Sequence, residues 1–177
     1  SGTYHGFITF EKGKNGRWQF RSKVAGFDVS SKDLIIKDDY SLWMSHGYLG
    51  LFNIHLNNNI DSVISVEGYN GTGNLPPELP YFLHEWGDDF FISTNQGIYR
   101  YDVHSKLFNK TDELNSFFGD LKLLYLLKTD FNRNIWYSAR EGMGVFRLLE
   151  DGTYTNISTP FLDLNNARVS PFDNIFI

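Results

Sequence analysis

One phrase recurs along this chain at nearly fixed spacing, and it limits the fold before any single residue does. Its clearest copy is Asn134-Ile135-Trp136-Tyr137-Ser138-Ala139-Arg140-Glu141-Gly142-Met143-Gly144-Val145-Phe146: a strand, a tight polar turn, and a second strand opening Gly-Val-Phe. Earlier copies are Asp89-Phe90-Phe91-Ile92-Ser93-Thr94-Asn95-Gln96-Gly97-Ile98-Tyr99 and Ser41-Leu42-Trp43-Met44-Ser45-His46-Gly47-Tyr48-Leu49-Gly50-Leu51-Phe52. With Gly50, Gly97 and Gly144 as anchors, the steps are 97 − 50 = 47 and 144 − 97 = 47. A shortened copy, Gly2-Thr3-Tyr4-His5-Gly6-Phe7-Ile8, opens the chain with its glycine 50 − 6 = 44 residues upstream. Self-similarity at such a period is the signature of a repeat architecture.

Each period reads as four short strands separated by turn residues. The second unit, for instance, runs through Tyr81-Phe82-Leu83, 90–93, 98–102 and 106–109, and the third closes across the Asp151-Gly152 hairpin signal. Leu34-Ile35-Ile36 has no polar face and reads as a strand buried on both sides. Thr111 followed by Leu114, Phe117, Phe118 and Leu121 has the cap and spacing of a short helix. Four antiparallel strands per period of this length predict an all-β chain of β-propeller blades. The expected division is a half blade at 1–28 with two strands, blades at about 34–70, 80–118 and 123–162, and a further half blade at 165–177. About four blades' worth results, and the two halves are complementary. Closure within the chain, strand exchange in a homodimer, and a partial propeller cut from a larger ring all remain open, because strand edges are seldom left bare.

Composition narrows function mainly by exclusion. Net charge is −5 and the basic residues form no run, which argues against nucleic acid and against contact with an anionic membrane within this segment. There is no cysteine, so disulfides and thiolate metal sites are ruled out, and no apolar run is long enough to span a bilayer. The five histidines lack metal-ligand spacing, and no cofactor motif is present. Asp38-Asp39 and Asp88-Asp89 are paired carboxylates in first-to-second strand turns, where turn capping is the expected role. No local motif supports a catalytic Ser/His/Asp arrangement, so the chain is read as non-enzymatic.

The three full copies of [Leu/Phe/Ile]-[Trp/Phe]-x-x-Ser … Gly-[Leu/Ile/Val]-[Phe/Tyr] resemble the two-component regulator propeller repeat. Asp130-Phe131-Asn132-Arg133-Asn134-Ile135-Trp136 matches that repeat best, and Gly2-Thr3 matches the close of its second strand. The resemblance covers nearly the whole chain. It implies part of the periplasmic sensing region of a bacterial transmembrane regulator, such as a hybrid histidine kinase or a helix-turn-helix activator. It further implies ligand sensing and signal relay without catalysis, and a small glycan as the ligand class. The alternative is a propeller that serves as a protein-interaction scaffold and mediates oligomerisation.

Trp43, Phe91 and Trp136 occupy equivalent second-strand positions, where repetition in every unit points to packing between blades. The turn that follows is the better candidate for recognition. It carries Tyr4-His5, then His46 and Tyr48, then Asn95 and Gln96, then Arg140 and Glu141. These residues change from copy to copy while their flanks repeat, as loops on a rigid scaffold do when they recognise a ligand. In a four-stranded blade this turn lies at the same end as the connection into the next blade's first strand. His46, Tyr48, Asn95, Gln96, Arg140 and Glu141 are therefore the candidate ligand-binding residues.

Overall fold

The computed structural model describes residues 1–158 apart from Asp39 and Asp88, with the backbone alone of Asp89. The half blade expected at 165–177 lies outside the described residues. Among the described residues, alternating apolar and polar residues between turn clusters produce fifteen strands and one short helix. The first sheet is β1 (Gly2–Thr3), β2 (Gly6–Lys12) and β3 (Trp18–Lys23). The second is β4 (Asp33–Asp38), β5 (Ser41–His46), β6 (Gly50–Leu56) and β7 (Val63–Tyr69). The third is β8 (Phe82–Trp86), β9 (Asp89–Thr94), β10 (Gly97–Asp102) and β11 (Leu107–Lys110), followed by α1 (Asp112–Phe118). The fourth is β12 (Leu124–Thr129), β13 (Ile135–Ala139), β14 (Gly142–Leu148) and β15 (Tyr154–Ile157).

Neighbours in sequence are neighbours in every sheet, and the pairings with resolved registers are antiparallel. This is the meander of a propeller blade, and the described chain is all-β but for one helical stretch. The first sheet differs from expectation in having three strands. Gly2–Thr3 pairs with Phe7 and Gly6 as the stub of a second strand. In the second sheet the last strand begins at Val63, because a turn over 57–62 is held by Asn57, whose side-chain oxygen accepts from the backbone of Asp61 and Ser62. Leu34–Ile36 is not buried on both sides: Ile35 is buried, whereas Ile36 on the opposite face is 65% exposed.

The registers also correct the phase of the repeat. The residue that opens the third strand opposite the end of the second is Gly6, Gly50, Gly97 and then Gly142, paired with Thr3, His46, Thr94 and Ala139. Each adopts positive φ, which favours glycine. The step into the last unit is thus 142 − 97 = 45, and Gly144 sits two residues further along, opposite Tyr137. The turn itself is not the source of the slip, since two residues separate both Thr94 from Gly97 and Ala139 from Gly142. The shorter step arises in the stretch between those turns, and only the turn from His46 to Gly50 is longer, with three.

The chain divides into two compact units, Ser1–Leu83 and a second beginning at His84. In the first, the face of β2 carrying Phe7, together with Val24, packs on Leu42, Met44, Ile54 and Leu56 of the second sheet. Phe27, from the link between the sheets, stacks on Phe7 with ring centres 5.3 Å apart and meets Phe52 edge-on. In the second unit, Phe91 and Ile98 of the third sheet pack with Leu114 and Phe118 of α1 on Leu124, Ile135, Tyr137 and Phe146 of the fourth. The helix forms as its sequence predicts: Thr111 caps it by accepting from the Leu114 amide, Asp112 and Glu113 occupy the first turn, and Leu114 and Phe118 face the core. Within each unit, then, one face of a sheet is buried by the sheet that precedes it.

Candidate functional site

Three of the four turns after the second strands are held by the side chain that ends the strand; Ala139, at the same place in the fourth sheet, has no polar side chain to do so. The Thr94 hydroxyl donates to the Gly97 carbonyl at 2.9 Å and accepts from the Gln96 amide at 3.0 Å. The Thr3 hydroxyl does the same with the Gly6 carbonyl and the His5 amide, at 3.0 and 3.1 Å. In the longer turn His46 occupies this place, and its Nδ1 accepts from the amides of Tyr48 and Leu49, each at 3.1 Å. An acceptor at Nδ1 puts the proton of the neutral ring on Nε2. His46 is therefore spent on one side holding its own turn, and offers an outward donor on the other.

In the first unit this geometry opens a cleft of about 390 Å³, lined by Gly2, Thr3 and Tyr4, by Ser30, Ser31 and Lys32, and by His46, Gly47 and Tyr48. Two of the six candidates, His46 and Tyr48, fall in it, beside Tyr4 of the corresponding turn in the first sheet. The tyrosine side chains are 88% exposed at Tyr4 and 86% at Tyr48, so aromatic faces stand bare at its rim. The His46 and Tyr48 rings meet edge-on with centres 6.2 Å apart. Ser30, Ser31 and Lys32 come from the connection into β4, which places that connection at the same end as the turns. Burial, opposed by Asp33, holds the Lys32 ammonium below the usual lysine range. Ser30, Ser31 and Lys32 were not among the sequence candidates; their signal was their position just ahead of a first strand.

The second unit brings another pair together. Arg140 donates from Nη2 to the Asn95 side-chain oxygen at 2.5 Å, tying the turn of the fourth sheet to that of the third. Gln96 and Glu141 are exposed at their turn tips. The six candidates thus divide between the two units.

The packing residues behave less uniformly than repetition suggests. Trp43 and Phe91 are buried, but Trp136 is half-buried and donates its indole N–H to Asp130 Oδ2 at 3.0 Å. Asp130 also accepts from the Asn132 and Asn134 amides and the Asn134 side chain, contacts that hold its carboxyl below the usual range, the indole foremost. Asp38 is a turn cap: it accepts from the Tyr40 amide at 2.8 Å and the Ser41 hydroxyl at 2.6 Å. Asp39 and Asp88 lie outside the described residues. Among the described residues no three His, Asp or Glu side chains are grouped to hold a metal ion.

Four antiparallel meanders carrying variable turns at one end define a blade-type repeat protein. No protein-family model matches the chain, and no curated protein matches it. Among solved structures, it is similar to the extracellular domain of a protein assigned to a hybrid two component system of B. thetaiotaomicron. The TM-score is 0.50 at 15% identity, over 87% of this chain and 19% of that one. The likeness is one of fold, and this chain spans 19% of the length of the chain it matches.

Proposed function

We propose that this chain is part of the periplasmic sensing region of a bacterial two-component-type transmembrane regulator, that it relays a signal without catalysis, and that it binds a small glycan. The observation that carries the reading is the cleft rimmed by Tyr4 and Tyr48. Flat aromatic faces suit the apolar faces of pyranose rings, and the hydroxyls of Thr3, Ser30 and Ser31 with the His46 Nε2–H suit sugar hydroxyls. Its volume lies in the lower part of the range of small-ligand sites, about 300–1,000 Å³, which fits a short oligosaccharide better than a long chain. The repeat resemblance and the solved extracellular domain of similar fold support the same reading.

Calorimetric titration with neutral and acidic oligosaccharides tests it. Binding is expected for one class, and Tyr48→Ala and Tyr4→Ala should each weaken it tenfold or more while leaving thermal unfolding unchanged. Binding that persists in the double variant would move the ligand away from this cleft. Release of any product from a bound glycan would overturn the non-catalytic reading.

A further inference from the structure

The cleft of the first unit has a one-sided hydrogen-bonding chemistry. Lys32 can only donate, and His46, its Nδ1 taken up by the Tyr48 and Leu49 amides, donates outward from Nε2. The hydroxyls of Tyr4, Tyr48, Ser30 and Ser31 can donate or accept. Among the described residues no carboxylate or carboxamide side chain lines the cleft. A neutral sugar presents hydroxyls, each with a proton to place, and such planar acceptors are what take those protons best. Lys32 is the charged member of the described lining. Its Nζ stands 3.8 Å from the centre of the Phe82 ring, which is buried. The ammonium is thus held over a fixed surface and loses little freedom when an anion arrives. The Asp33 carboxylate, next along the chain, accepts from the Ser45 hydroxyl at 3.1 Å and is not part of the lining.

On the reading that this cleft binds a glycan, we infer that the sugar is a uronate, recognised through its carboxylate by Lys32. Donors in excess of acceptors call for a ligand that accepts, and an ionised acceptor makes a bond roughly twice as strong as a neutral one. A carboxylate takes the place of the exocyclic hydroxymethyl group of a pyranose. It therefore adds charge with almost no bulk, as a cleft of about 390 Å³ requires, whereas a sulfate ester enlarges the sugar. The chain as a whole carries a net charge of −5, so an acidic sugar is drawn by this local cation and not by the surface at large.

Calorimetry on the whole chain tests this, with the di- and trisaccharides of galacturonate, glucuronate, mannuronate and guluronate as probes. Each is paired with its neutral twin, in which a hydroxymethyl group replaces the carboxylate, and with a sulfated form of that twin. At least one uronate should bind tenfold or more tightly than its twin, and raising the ionic strength to about 0.5 M should weaken the uronate alone. Lys32→Met keeps an apolar stem beside Phe82 and removes the charge; it should bring uronate and twin within about twofold, while Lys32→Arg keeps the preference. The ratio in the parent chain needs no variant and stands if Lys32→Met fails to fold. Equal affinity for uronate and twin, binding of the sulfated form alone, or a preference that survives in Lys32→Met would overturn the uronate assignment and leave the glycan reading in place. A parent chain that binds no saccharide of any kind would overturn both.

Discussion

His84 and Ser93 lie side by side in the core of the second unit, with His84 Nε2 3.1 Å from the Ser93 hydroxyl, and both reach the Leu124 carbonyl. Ser93 donates to that carbonyl at 2.7 Å, and the imidazole reaches it at 3.1 Å. A carbonyl only accepts, so the ring carries its proton on Nε2. The pair links the third sheet to the fourth through one backbone oxygen, so that the buried imidazole and hydroxyl both find a partner.

That arrangement makes the fold sensitive to mild acid. Burial pushes the His84 imidazole down to about 4, with Lys128 adding to the effect and the Leu124 hydrogen bond opposing it. The unfolded chain binds the proton near pH 6.5 and the folded chain only near 4, so stability is complete above 6.5 and lost as pH falls between those values. The loss is on the order of 3 kcal/mol over the window. The turn carboxylates Asp38, Asp102 and Asp130, all held below their usual range, lose their contributions at lower pH still. Urea midpoints should therefore drop between pH 7 and 4.5 in the parent and change much less in His84→Gln. The same slope in both proteins would rule the imidazole out as the cause.

The Thr94 hydroxyl makes two backbone hydrogen bonds from a fully buried position. Thr94→Ala leaves the Gly97 carbonyl and the Gln96 amide without that partner, at a cost of about 1–3 kcal/mol. Thr3→Ala removes the same pair of bonds from a half-buried turn, where water substitutes, and should cost less than 1 kcal/mol. Chemical denaturation of the two variants checks the order; equal losses would mean the hydroxyl is incidental to the turn.

Phe118 is buried at the meeting of the Trp86, Phe91, Phe117 and Phe146 rings, with centres 5.0–6.1 Å apart. Phe118→Ala opens a cavity where α1 holds two sheets together and should destabilise the protein by about 3–5 kcal/mol. Loss of near-ultraviolet circular dichroism at lower urea checks it. A change below 1 kcal/mol would mean that α1 is peripheral to the core.

Much of this architecture was legible in the chain itself. Alternation marked the strands, Asp151-Gly152 marked its hairpin, and Thr111 with Leu114 and Phe118 marked the helix, because in each case local chemistry and tertiary packing ask for the same residues. What sequence spacing missed was set by pairing across strands. The 47-residue step chose Gly144 over Gly142, since spacing cannot see that the stretch between the Gly97 and Gly142 turns is shorter than the one before it. Ile36 read as buried because a three-residue apolar run has no period that reports its outward side. The division of the six candidate residues between two units, and the capture of His46 Nδ1 by its own turn, depend on side-chain direction and had no sequence signal.

The misassigned glycine has its own structural reason to be glycine. A Cβ on Gly144 would lie 2.6 Å from the Tyr137 hydroxyl and 2.9 Å from the Ile157 carbonyl. The hydroxyl is itself fixed by a 3.0 Å bond to the Asn156 side chain, so it cannot simply rotate away. Gly144→Ala should thus force β14 from its neighbours and cost about 1–3 kcal/mol, the range of an overpacked core site. Gly47 makes the opposite case: it lines the candidate cleft, and a Cβ there meets nothing within 4 Å. Gly47→Ala should leave the melting temperature within a degree or two. Thermal unfolding of both variants separates the two roles. A stable Gly144→Ala protein would mean that Tyr137 has room to yield, and that close packing is not what holds glycine at this place in the repeat.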